Sequence, residues 1–131
     1  MAVHKKLLAA IVLATIIIVT APRPSCQETI QVINQLSSNI LIVHCASDDD
    51  DLDAHAVAIN ATCAWSFRPI HIGGATLFWC RLAVEDKRLS FVAYDQARRL
   101  ASNYPDWLVR DDGLHGQRGT FREFIKTWNR I

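Results

Sequence analysis

The chain has 131 residues, four cysteines and a formal net charge of +1 at pH 7. That length allows one small domain, and near-neutral charge excludes a nucleic-acid binder that works by neutralising phosphates. The charge is unevenly placed: between Glu28 and Trp65 stand six acids and no Lys or Arg, while residues 66–131 hold eleven basic residues and seven acids.

Residues 1–21 read as a secretory signal peptide. Lys5 and Lys6 give a basic start, residues 7–20 are almost wholly apolar, and Val19 and Ala21 place small residues at the minus-three and minus-one positions of a cut. An apolar run of about 14 residues falls short of the roughly 20 that span a bilayer, so no stable membrane insertion is expected after processing. A single domain over residues 27–131 follows. All four cysteines, Cys26, Cys45, Cys63 and Cys80, lie beyond the signal. An even count in a short secreted chain points to two disulfides, with three pairings open. No Cys or His spacing suggests zinc.

The first two predicted strands are residues 29–36 and 40–45, divided by "QLSSN". The second ends in His44-Cys45. Successive strand side chains point to opposite faces, so the two cannot form a nucleophile pair; Cys45 belongs on the core face and His44 outward or at an edge. Next come Asp48, Asp49, Asp50, Asp51 and Asp53. Asp49, Asp51 and Asp53 have the spacing that begins a calcium loop. However, Ala54 stands where the turn glycine belongs, and Asn60 where a bidentate Glu belongs. The run therefore reads as a solvated turn and a recognition loop, because Asp satisfies its own backbone in turns. No metal site is assigned.

Strands at 56–60 and 63–67 flank "NAT", which makes Asn60 a glycosylation acceptor in a secreted chain. Trp65 and Phe67 share one face, with Ser66 opposite. After the break "RPIHIGG", residues 76–84 form a strand with Leu77 and Trp79 on one face and Phe78 and Cys80 on the other. With both faces apolar, it reads as central and covered on both sides. An aromatic platform for sugars is the sharper alternative for these tryptophans, and core packing the favoured one. Strands at 89–94 and 107–110 follow. Between them, residues 96–102 form a loop or a single helical turn. The last element, 121–128, is ambiguous, because Phe121, Phe124, Ile125 and Trp128 stand at helical spacing. Short strands at this spacing predict an all-β fold, a small two-sheet β-sandwich. His44, His55, His71 and His115 are scattered, and no nucleophile motif accompanies them. No catalytic residue or cofactor is assigned, and the chain does not read as an enzyme.

"LIVHCASDDDDLDAH", "WSFRP", "GATLFWCRL", "FVAYD", a W-x-V-x-x-DG motif and a late Trp, in that order over about residues 30–128, resemble the plant self-incompatibility S-protein family. The resemblance implies a compact antiparallel two-sheet β-sandwich, secretion, and a role as an extracellular signalling ligand for a cell-surface receptor, in pollen rejection or related communication. Two of the family's four usual cysteines match Cys45 and Cys80. The other two are absent from "RRLASNYPDW", and Cys26 and Cys63 appear instead. The resemblance therefore implies the pairs Cys45–Cys80 and Cys26–Cys63. The family's glycine after the acidic run is Asp53 here, a residue that tolerates a left-handed backbone less well than Gly. The expected contact surfaces of this monomeric ligand are the acidic loop 48–53 and the loop 68–74. A module that binds extracellular carbohydrate or cell wall is the alternative.

Overall fold

The computed structural model describes residues 27–70, 74–98 and 103–131. Cys26, His71 and residues 1–21 lie outside them, as do residues 99–102 of the stretch expected as a loop. The described residues form ten strands and no helix: β1 (Glu28–Asn34), β2 (Leu41–Ala46), β3 (Asp51–Val57), β4 (Thr62–Phe67), β5 (Leu77–Val84), β6 (Lys87–Asp95), β7 (Asp106–Arg110), β8 (Gly113–Arg118), β9 (Phe121–Lys126) and β10 (Asn129–Arg130). One sheet has the order β4-β1-β7-β8-β9 and the other β10-β6-β5-β2-β3. The all-β, two-sheet expectation holds, with one refinement. β1 pairs antiparallel with β4 but parallel with β7. A parallel pair needs a long connection, and here β2 to β6 supply it.

Alternation explains the core. Ile30, Val32 and Asn34 of β1 point inward, opposite Leu41, Val43 and Cys45 of β2 and Phe78, Cys80, Leu82 and Val84 of β5. Trp65 and Phe67 of β4 close the inter-sheet space: Phe67 lies 4.6 Å from the Phe78 ring and 4.8 Å from Tyr94, and Trp65 lies 5.7 Å from Phe78. Trp107 is buried and its indole N–H donates to the Ala93 carbonyl. Trp128 packs at the margin of the core and donates to the Arg110 carbonyl.

Cys45 and Cys80 stand directly opposite one another in register and are bridged. Cys63 carries a free thiol, half-buried and pushed up by desolvation; Cys26, the partner that the resemblance implies for it, lies outside the described residues.

Three further expectations are corrected, and one element left ambiguous by its spacing is resolved. β5 is central in its sheet but covered on one side only: Leu77 and Arg81 are exposed and Trp79 is half-exposed on the outer face. β3 begins at Asp51 rather than near residue 56. β8 is a strand where the sequence suggested none. Residues 121–126 are extended, not helical.

Candidate recognition end

Strand pairing sorts the connections into two ends. Glu28 lies opposite Phe67, Ala46 opposite Trp79, Leu77 opposite Asp95, and Arg118 opposite Phe121. The start of β1, the β2–β3 turn, the β4–β5 and β6–β7 loops and the β8–β9 turn therefore gather at one end. Leu41 opposite Val57 and Arg110 opposite Gly113 put the β1–β2, β3–β4 and β7–β8 connections at the other.

The acidic run divides between a turn and a strand. The Ser47 amide donates to the Asp50 carbonyl at 2.7 Å, and the Asp50 amide to the Ser47 hydroxyl at 3.1 Å. This tight turn leaves Asp48, Asp49 and Asp50 exposed at its tip. Asp51 and Asp53 belong to β3. Two residues there, Leu52 and Asp53, face the single Cys45 across a register shift. Within this bulge Asp53 takes a left-handed backbone, with a φ of 64°. Asp51 Oδ1 accepts the Asp53 amide at 3.0 Å and lies 2.6 Å from His44 Nε2. The hydrogen bond to His44, and then the Asp53 amide, hold the Asp51 carboxyl below its ordinary range. His44 thus points outward, as strand alternation requires, and meets Asp51 rather than Cys45. His55 contacts the Leu52 carbonyl and His115 the Asp112 carboxylate. Among the described residues no three His, Cys, Asp or Glu side chains gather to hold a metal ion.

Sequence reasoning missed the residues that shape the rest of this end. Gln96 clamps the base of the β4–β5 loop: its side-chain oxygen accepts the Thr76 amide and its NH2 donates to the Ile70 carbonyl. Asn103 brackets Asp95, accepting its amide at 3.0 Å and donating to its carbonyl at 2.7 Å. Arg118 donates to the Asn103 carbonyl, and the Tyr104 hydroxyl to Glu123. Between these groups lies a cavity of about 400 Å³. The polar residues sit in segments that read as loop, where no periodicity marks an inward side chain.

Asn60 is at the opposite end, exposed, with a φ of 64°. Its backbone amide donates to the Asn34 carbonyl at 2.7 Å. The structure thus separates Asn60 from the acidic turn.

The family model described as plant self-incompatibility protein S1 matches residues 29–128. The chain belongs to the plant self-incompatibility protein S1 family. S-protein homolog 21 of Arabidopsis thaliana is 33% identical over 111 residues, covering 78% of this chain and 82% of the relative. S-protein homologs 4 and 3 of the same plant are 33% and 32% identical over 73 and 75 residues, 55% and 56% of this chain. The matches cover 48% and 49% of those two relatives, about half their length. No solved structure matches the chain. In this S1-family chain the pair implied by the family pattern, Cys45–Cys80, is formed. Asp53, standing in for the family's glycine, adopts the left-handed backbone that glycine would take most easily.

Proposed function

We propose that the chain is a secreted extracellular ligand, cleaved near residue 21, that acts as a monomer and without catalysis. A cell-surface receptor recognises the end of the sandwich that carries the acidic turn. Self-incompatibility or a related form of cell–cell communication is the setting that S1 family membership supports. The observation that carries this proposal is the division of the two ends. The exposed Asp48, Asp49 and Asp50 stand with the β4–β5 and β6–β7 loops, while Asn60, the acceptor proposed to carry glycan, stands at the far end. A glycan there leaves the acidic end open for contact, and loops held on a rigid sandwich are where recognition usually lives. The cluster of like charges at the tip governs partner choice and association rate through electrostatic complementarity.

The test is binding of the purified, processed protein to plant plasma-membrane preparations. Wild type is expected to bind saturably. A variant with Asp48→Asn, Asp49→Asn and Asp50→Asn keeps the backbone turn, because Asn serves there as well as Asp, and should bind about tenfold more weakly. Asp86→Asn, in the β5–β6 turn of the far end, should bind as wild type does. Absence of saturable binding, or equal binding by the acidic-turn variant, would sink the reading.

A further inference from the structure

On one flank of the sandwich both sheets end, the first in β4 and the second in β3. Strand pairing sets which side chains turn toward the space between them. Cys63 and Trp65 lie opposite Val32 and Ile30, and His55 lies opposite Val43, so all three take the core side of their strands. Between the two edges is a cavity of about 170 Å³, lined by Cys45, Leu52, His55, Cys63, Ala64 and Trp65. Among the described residues no Lys, Arg, Asp or Glu lines it. The Trp65 ring packs 5.7 Å from that of Phe78. Its indole nitrogen is fully buried and, among the described residues, has no hydrogen-bond partner. Trp107 and Trp128 differ, since their indoles donate to the Ala93 and Arg110 carbonyls. A buried indole N–H is nearly always met, so one left open beside a cavity marks where an acceptor from outside is received.

Size and chemistry narrow the occupant. About 170 Å³ matches the scale of an apolar cavity that holds benzene, ~150 Å³. A charged ligand would lose its water and meet no counter-charge. Desolvation keeps the Cys63 thiol protonated, and the His55 ring nitrogen is engaged by the Leu52 carbonyl at 2.7 Å. Water suits the site poorly. It would take the indole N–H, but among the lining side chains only the weakly bonding thiol remains, short of the roughly three hydrogen bonds that hold a buried water. A wider opening past Ala56, Ala58 and Ala61 shares His55, Cys63 and Ala64 with the cavity and gives a way in from solvent. We propose that this cavity binds a small neutral carbonyl compound with a single-ring apolar body, its oxygen accepting the Trp65 indole N–H and its ring lying against Leu52 and Cys45. The proposal stands apart from receptor binding by the acidic turn, because the two use different residues and are read by different experiments.

The test is an NMR titration of the isotope-labelled, processed protein with acetophenone, with ethylbenzene as the match without an oxygen and benzoate as the charged match. Acetophenone is expected to move the Trp65 indole N–H signal saturably to lower field, together with the amides of Leu52 and Cys63. The indole signals of Trp79, Trp107 and Trp128 should stay in place. Ethylbenzene and benzoate should each bind about tenfold more weakly, the loss of one hydrogen bond or the cost of an unmet charge. Trp65→Phe keeps an aromatic ring beside Phe78 and removes the donor, so acetophenone should weaken about tenfold while ethylbenzene binds as before. Cys63→Leu fills the cavity and should abolish binding of both. The spectra themselves report whether each variant is folded. No saturable shift with acetophenone, shifts confined to another part of the sandwich, ethylbenzene or benzoate binding as tightly, undiminished acetophenone binding by Trp65→Phe, or a long-lived water on the indole that acetophenone does not displace would each overturn the proposal.

Discussion

Asn34 is wholly buried in a β-sandwich core, and its amide is completely used. Its NH2 donates to the Val57 carbonyl at 2.9 Å and the Asn39 carbonyl at 3.2 Å, and its oxygen accepts the Leu36 amide at 3.0 Å. One side chain thus ties the end of β1 to the following loop and to the end of β3. Asn34→Ala leaves three backbone groups, two of them buried, to find water or go without, and should cost about 3 kcal/mol, measured from the urea unfolding midpoint. The sequence contained a signal for it: Ile30, Val32 and Asn34 alternate, so the polar residue had to share the core face. Asp53 makes a second case. Its left-handed backbone is disfavoured most for branched side chains, so Asp53→Val should destabilise by about 1–2 kcal/mol, whereas Asp53→Gly should stay within about 0.5 kcal/mol of wild type. Chemical denaturation of both variants checks the contrast.

Strands were legible where one face was buried and the other wet. β1, β2, β4 and β5 show that alternation, and their predicted bounds fall within a residue or two of those observed. β3 was hidden because it is an edge strand exposed along nearly its whole length, so its aspartates carried no periodic mark. β9 was ambiguous for the opposite reason. Its helical spacing of aromatics is real, but Phe121 stacks on Tyr104 on one face of the sheet while Phe124 meets His115 on the other. β8 has two glycines in six residues and lacks the residue types that announce a strand. Gly116 explains why: a Cβ there would come within 2.5 Å of the Tyr104 ring, which occupies the space over the strand. Gly116→Val should therefore destabilise by about 2 kcal/mol or more. In a double-mutant cycle Tyr104→Ala should offset part of that loss, so the two changes together cost less than their sum.

Across the whole molecule, the family pattern was legible in motif order, whereas the cavity was not, because its walls come from both sheets and meet only once the sandwich is closed. The bridge between Cys45 and Cys80 spans 35 residues of chain, all within the second sheet or on the route out of it and back. Replacing both cysteines by alanine should cost about 3–4 kcal/mol on the loop-closure account, seen as a lower denaturant midpoint. The placement of β1 between β4 and β7 bears on how the chain assembles. Gln31 is matched with Asp106, a partner 75 positions later, whereas β2–β3 and β5–β6 are neighbouring pairs joined by short turns. Closing long loops is entropically slow, so the sheet built from hairpins, with its disulfide, condenses first and the first-made strand is among the last to be seated. Until β7 is seated, β1 can pair only with β4, and the other edge of that strand stays open.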